Sequence, residues 1–275
     1  MAVAAEAMKK QGYAVETVGG FSADSVIERE TIPNVIARSD VLVLPIPCSI
    51  DGRRIAAPSA EVSIDWKDIC PHLTEKHCII GGRIPDAWRE EAIRHGARVF
   101  DPAGSDRFAR KNALPTAEGA LAIAMQTVPK TLRDMRVLLI GYGRIHSCLA
   151  PMLLSLGAHV TVCDRKPEVR ELAAKLGCTV IDFSHLPQAC GDADWICNSV
   201  PACIFGEKEL SHCRADVLLL DLASKPGGID RAEAEKQGIS VIWALGLPGK
   251  CAPVSAGRYY AEEILEILRE GEEKQ

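Results

Sequence analysis

Val137-Leu138-Leu139-Ile140 is a short apolar run that stops at Gly141-Tyr142-Gly143. A second run, Val160-Thr161-Val162-Cys163, stops at an acid, Asp164. Between them, residues 145–156 carry apolar side chains at helical spacing, and Gly157 follows where a left-handed C-cap belongs. Strand, glycine turn, helix and strand make a βαβ unit. Parallel strands need such a crossover, and a parallel sheet needs helices on both faces. This unit therefore commits the chain to an open parallel α/β sheet. It also locates a ligand site, because such sheets bind ligands beyond the carboxyl ends of their strands.

The pattern recurs to the end of the chain. Residues 179–181, 195–198, 217–221 and 241–243 read as strands, and 168–176 and 231–237 as helices closed by Gly177 and Gly238. The first half is less regular. It reads as a helix over 2–11 ending at Gly12, strands over 14–18, 41–45, 78–81 and 98–100, and a helix over 88–95. An α/β domain usually opens on a buried strand, whereas this one opens on a helix. Its first strand and glycine turn are therefore expected upstream of Met1. Pro115 and the alanine-rich run after it predict a helix that starts there and joins two lobes. A second long helix over 254–270 is expected to return to the first lobe, ahead of a solvated tail over 270–275.

Composition excludes several function classes. The 275 residues suit one large domain or two ordinary ones. The net charge of −5 offers no surface for nucleic acid or membrane. No apolar run approaches the roughly 18 residues of a membrane span. The N-terminus lacks the basic start and apolar core of a secretory signal, so a cytoplasmic location is expected. The 11 cysteines show no C-x-x-C pair and no zinc spacing. They read as reduced thiols packed as small hydrophobes, Cys78, Cys163 and Cys197 among them, and no metal is expected.

Gly141 permits a tight turn, Gly143 lets the backbone approach a pyrophosphate, and the helix beginning at Ile145 aims its N–H groups at the phosphates. Tyr142 and Arg144 belong to the same cradle. Asp164 stands where a carboxylate accepts the ribose hydroxyls of NAD, whereas Arg165 and Lys166 suit the 2′-phosphate of NADP; both cofactors remain open. His146 breaks the rule, because the third position of G-x-G-x-x-G is a glycine that allows close helix–strand packing. A bulky imidazole there is expected to push the helix away or point outward, as a packing variation and not a base.

Asn198-Ser199-Val200-Pro201 and Asp221-Leu222-Ala223-Ser224-Lys225 each follow a strand and should border the nicotinamide end. Asn198, Ser224 and Lys225 are the catalytic candidates, with Lys225 also suited to a substrate carboxylate. Ser199, Val200, Pro201, Asp221 and Ala223 join the cofactor set. Residues 245–257 read as a long loop opening the last helix, with Gly249 and Ser255 as anion contacts. Asn112, Thr116 and Glu118 sit at the start of the inter-lobe helix and complete the substrate set.

Four of these segments resemble one family. Pro115-Thr116-Ala117-Glu118-Gly119, Gly141 to Arg144, Asp221 to Gly228, and Gly246 to Gly249 with Ala252 to Gly257 occur in order, as in the A-subunit of dipicolinate synthases from endospore-forming bacteria. The likeness runs from about residue 112 to 268; the first hundred residues are similar in element pattern. The family has glycine at the position of His146 and usually arginine at that of Lys225. The resemblance implies NAD(P)-dependent dehydrogenation of a dihydropyridine dicarboxylate to dipicolinate during sporulation, on the diaminopimelate–lysine branch, in the mother-cell cytoplasm. It also implies the flavoprotein-like B-subunit of dipicolinate synthase as partner, beside a homo-oligomeric state expected of such enzymes. A more distant likeness is to 2-hydroxyacid and alanine dehydrogenases.

The chain is thus expected to be an α/β protein of two Rossmann-like lobes with parallel sheets. Residues 1–111 would form a Rossmann-like or flavodoxin-like substrate lobe, 112–130 an inter-lobe helix, 131–252 the NAD(P)-binding domain, and 253–275 a helix packed back on the first lobe. Two alternatives stand beside the dehydrogenase reading. One is a catalytically impaired partner protein that keeps the fold as an assembly surface. The other is a 2-hydroxyacid-type enzyme, which wants a His–carboxylate pair that neither His185 nor His212 supplies in the expected place.

Overall fold

In the computed structural model the β–α alternation becomes two units, and residues 1–18, 32–56 and 63–272 are described. One unit comprises Met1–Ala109 with Val254–Gln275, the other Arg110–Pro253.

The first unit holds α1 (Ala2–Lys10), α2 (Ile32–Arg38), β1 (Val41–Val43), β2 (Cys78–Ile80), α3 (Asp86–Arg94) and β3 (Arg98–Phe100). Its strands form a parallel sheet in the order β1-β2-β3. One face of the sheet packs on Trp66 and Trp88, whose rings stack 4.7 Å apart and 6° from parallel. The Trp66 indole N–H donates to Glu91, and that of Trp88 to the carbonyl of Gly52. The other face packs on Ala4, Met8, Phe108, Tyr260 and Ile264.

The second unit begins within α4 (Asp106–Thr127). It continues through β4 (Arg136–Ile140), α5 (Arg144–Ser155), β5 (His159–Cys163), α6 (Pro167–Lys175), β6 (Thr179–Ile181), α7 (Leu186–Asp192), β7 (Trp195–Asn198), α8 (Glu207–Leu210), β8 (Leu218–Asp221), α9 (Arg231–Lys236), β9 (Val241–Trp243) and α10 (Leu247–Cys251). The last helix, α11 (Pro253–Glu272), returns to the first unit, where the Tyr260 hydroxyl donates to the carbonyl of Leu44 at 2.6 Å. Arg107 and Glu263 pair at 2.8 Å within that same unit.

The six strands are all parallel, in the order β6-β5-β4-β7-β8-β9. Side chains alternate across the sheet. Val137 and Leu139 face Leu149 and Leu153 of α5 in one core, and Leu138 and Ile140 face Leu186 and Cys190 of α7 in the other. The chain leaves β4 to one side and returns to β7 on the other. The strand order therefore reverses between them, and the crevice that opens at such a reversal is where these sheets bind nucleotides.

Three expectations are corrected. Residues 14–18 form no strand: Val15 and Val18 are half-buried against the two cores of the first unit, so their apolar spacing reflects burial without a ladder. The helix expected at Pro115 begins at Asp106, well before it, because the Ser105 hydroxyl accepts the N–H of Phe108 and starts it there. Pro115 lies inside the helix, where it leaves one carbonyl without its usual N–H donor. The loop expected over 245–257 contains a helical turn, α10, seeded by Pro248 behind Gly246 at φ +71°. Elsewhere the expected elements differ by a residue or two at their ends. The tail beyond residue 272 lies outside the described residues. Among the described residues, no helix is long and apolar enough to cross a membrane.

Candidate functional site

The glycine loop sits at the crevice. Gly141 is left-handed, at φ +77°, and a Cβ there would come within 2.6 Å of Val200 Cγ2. The turn after β4 is thus pressed against the loop after β7. Gly143 is different: a Cβ added to it would meet nothing within 4 Å. It is the N-cap of α5, and being a glycine it supplies no side-chain cap to that helix. The first N–H groups of a helix have no acceptor within it. An uncapped N-terminus beneath an open glycine is a fitting cradle for a pyrophosphate. Tyr142 is half-buried, with no partner for its hydroxyl among the described residues, and Ile145 packs on the same core, so both shape the loop from below. Arg144 is exposed at the helix start.

His146 neither points outward nor reaches solvent; it is 0% exposed. Nδ1 hydrogen-bonds the carbonyl of Gly141 and lies 3.3 Å from the Ser199 hydroxyl. A carbonyl only accepts, so Nδ1 carries the proton. Nε2 is bare and buried, with no partner among the described residues. The seam has made room for the ring, and the ring ties the glycine loop to the start of the β7 loop. Burial outweighs the bond to Gly141 and pulls the imidazole pKa down to about 4, so the ring is neutral near pH 7.

At the end of β5, the Asp164 carboxylate accepts the N–H of Tyr142 at 2.9 Å and that of Lys166 at 3.0 Å. It remains half-buried, while Arg165 and Lys166 are exposed. Sequence reasoning missed Arg170, whose guanidinium donates to the carbonyls of Asp164 and Arg165. Its place in the first turn of α6 was the available signal, since helical side chains lean toward the N-terminus.

The ends of β7 and β8 share one buried network. The Asn198 amide is 0% exposed; it donates to Val200 O and to Asp221, and accepts the N–H of Val200. Asp221, 1% exposed, also accepts the N–H groups of Ala223 and Gly228. A Cβ on Gly228 would fall 2.2 Å from the Asn198 amide nitrogen. Asn198 therefore holds the two loops together, with its amide buried and hydrogen-bonded within the network. Asp221 plays the same part for the loop after β8. That loop turns through Ser224, Lys225 and a cis Pro226, closed by Gly227 N–H to Ser224 O at 2.8 Å. Trp243, also missed, pins it by donating to Ala223 O at 2.8 Å beneath the Arg231 guanidinium. Ser224 and Lys225 are exposed, and Lys225 has no hydrogen-bond or ion-pair partner among the described residues. Ser199 and Val200 are half-buried beside the glycine loop, and Pro201 is exposed.

The remaining candidates are dispersed. The Thr116 hydroxyl donates to Asn112 O at 2.6 Å, a bond internal to α4. Glu118 is exposed on the same helix, where Gly119 packs so closely on α10 that a Cβ would come 2.8 Å from Cys251 Sγ. Gly249 is exposed on α10 with open space at its Cβ. Ser255 is half-buried in the first turn of α11, in the first unit.

Comparison with known proteins agrees with this geometry. Residues 1–103 match the N-terminal domain of the dipicolinate synthase A-subunit. Residues 109–226 match the NAD binding domain of D-isomer specific 2-hydroxyacid dehydrogenases. The chain is 31% identical over 255 residues to the dipicolinate synthase A-subunit of Bacillus subtilis strain 168, spanning 91% of this chain and 84% of that one. The chain belongs to the dipicolinate synthase A-subunit family. Crystal structures of this family agree in fold. That from Bacillus halodurans superposes with a TM-score of 0.89 at 25% identity, covering 97% of this chain and 93% of its own. That from Bacillus subtilis gives 0.86 at 25%, covering 99% and 93%. The second unit is an NAD(P)-binding domain of dehydrogenase type, and the glycine loop of this dipicolinate synthase homologue stands where such domains hold the dinucleotide.

Proposed function

We propose that the protein is an NAD(P)-dependent dehydrogenase that converts a dihydropyridine-2,6-dicarboxylate to the aromatic dicarboxylate. The observation that carries this reading is the uncapped α5 N-terminus under the open Gly143, at the sheet's reversal point. Residues 141–145 would hold the pyrophosphate and Asp164, Arg165 and Lys166 the adenosine ribose. Ser199, Val200, Pro201 and Ala223 would border the nicotinamide. When bound, the nicotinamide accepts the hydride lost from the substrate ring, and a proton leaves with it. The chain's own work is binding and orientation. Lys225, exposed and unpaired among the described residues, holds a substrate carboxylate, with Ser224 beside it. Asn198 and Asp221 keep that loop in place from beneath. Asn112, Thr116, Glu118, Gly249 and Ser255 remain candidates for further substrate contacts.

The family likeness supports the substrate class, a sporulation role in the mother-cell cytoplasm, a homo-oligomer and the flavoprotein-like B-subunit as partner. The test is direct. Purified protein with NAD+ or NADP+ and the dihydropyridine dicarboxylate should produce reduced cofactor, read at its near-ultraviolet absorbance, and dipicolinate in equal amounts. Absence of turnover with and without the B-subunit, despite cofactor binding, would favour a silent assembly partner. In that case His146→Gly would leave activity absent.

A further inference from the structure

The first unit has its own knot of strand-end loops, and one arginine stands out of it. Arg83 follows β2 at φ +56°, the only non-glycine residue with positive φ among the described residues. Left-handed backbone at a residue with a Cβ persists only where its surroundings fix it, and such residues gather at ligand sites. Here the surroundings fix it fully. The Asp101 carboxylate, beyond β3, accepts the N–H groups of Arg83, Ile84 and Ala103 at 3.1, 3.1 and 2.9 Å. Arg89 stands 3.7 Å from the same carboxylate. The fully buried Cys48, beyond β1, donates its thiol to Arg83 O and its N–H to Gly82 O. Gly82 is pressed against Ile46, which a Cβ would meet at 2.5 Å.

The result is a rigid backbone that carries an exposed guanidinium at the carboxyl ends of three parallel strands. That guanidinium has no hydrogen-bond or ion-pair partner among the described residues. An arginine held this way offers planar, paired N–H donors, the geometry that matches a carboxylate. Carboxyl-end loops are also where open parallel sheets bind ligands.

We infer that Arg83 is a carboxylate-binding residue of the first unit and that its ligand is a carboxylate of the substrate class named above. The inference rests on that reading. Arg83→Gly removes the guanidinium and suits the left-handed backbone, so the variant keeps its fold; an unchanged or raised melting temperature verifies this. Pyridine-2,6-dicarboxylate is titrated calorimetrically into the full chain saturated with NAD(P)+. Arg83→Gly should weaken it about tenfold or more, and Arg83→Lys less, while cofactor affinity stays within about twofold. Equal dicarboxylate affinity in wild type and Arg83→Gly would overturn the role of Arg83 and leave the proposed function standing. Absence of dicarboxylate binding to the wild type, with cofactor bound, would overturn both the substrate class and this site.

Discussion

His146 turns the glycine loop into an acid-sensitive part. The ring is wholly buried and neutral, with a pKa of about 4 against 6.5 for a free histidine. In the unfolded chain it takes up a proton as the pH falls through 6.5; in the folded protein it resists until about 4. Between those values the unfolded state binds more protons, so stability is full above the upper value and drains away toward the lower one. From about pH 7.5 to about pH 5 the linkage relation gives a loss of about 2 kcal/mol from this side chain alone. His146→Gln cannot titrate and is of similar volume. Its unfolding free energy, from denaturant titration at both pH values, should fall less than that of the wild type by about the same amount. NAD(P) affinity of the folded wild type should hold over the same range, since the ring that links Gly141 to Ser199 stays neutral there, and should weaken only as the pH approaches 4. Equal pH dependence in the two proteins would refute the buried, neutral imidazole.

Other substitutions separate folding from binding. Gly143→Ala points its methyl into open space, so stability should change by less than about 1 kcal/mol while NAD(P)H affinity, read by fluorescence, falls about tenfold or more. Gly228→Ala drives a Cβ onto Asn198 and Val200, so it should cost about 3 kcal/mol or more by chemical denaturation. Lys225→Ala should weaken dicarboxylate binding about tenfold and leave cofactor affinity unchanged in parallel titrations; equal losses would remove its assigned role. Asp194 is 6% exposed and accepts from Lys130 at 2.6 Å, from Arg214 at 3.3 Å and from the N–H of Arg136 at 2.9 Å. Asp194→Ala should therefore lower stability by about 2–4 kcal/mol in the same denaturation assay.

The second unit was largely legible because its signals are local. Apolar runs at 137–140 and 160–163 end at glycines or an acid, and helices close on Gly157, Gly177 and Gly238, all left-handed in the structure. The family motifs were legible for the same reason. Long-range facts were not. Nothing near Asn198 in sequence says that Asp221 will accept from its amide or that Gly228 will pack against it. His146 read as a misfit because the width of the seam depends on residues far along the chain, Ser199 among them. Ala14 to Val18 read as a strand because apolar spacing reports burial, and a ladder needs a neighbour that spacing does not encode. Pro115 read as a start because the competing cap, Ser105, lies well upstream of it.

The stacked indoles of Trp66 and Trp88 give the protein a built-in optical label. Four tryptophans are present, and they divide evenly, with Trp66 and Trp88 in the first unit and Trp195 and Trp243 in the second. Rings 4.7 Å apart and nearly parallel are close enough for their electronic transitions to couple, so the aromatic circular dichroism of this pair follows the packing of the first unit. Trp243, held to Ala223 O beside the nucleotide-binding loops, supplies emission that responds to what happens there. Melting of one unit and ligation of the other can thus be followed in one cuvette, without attaching a dye.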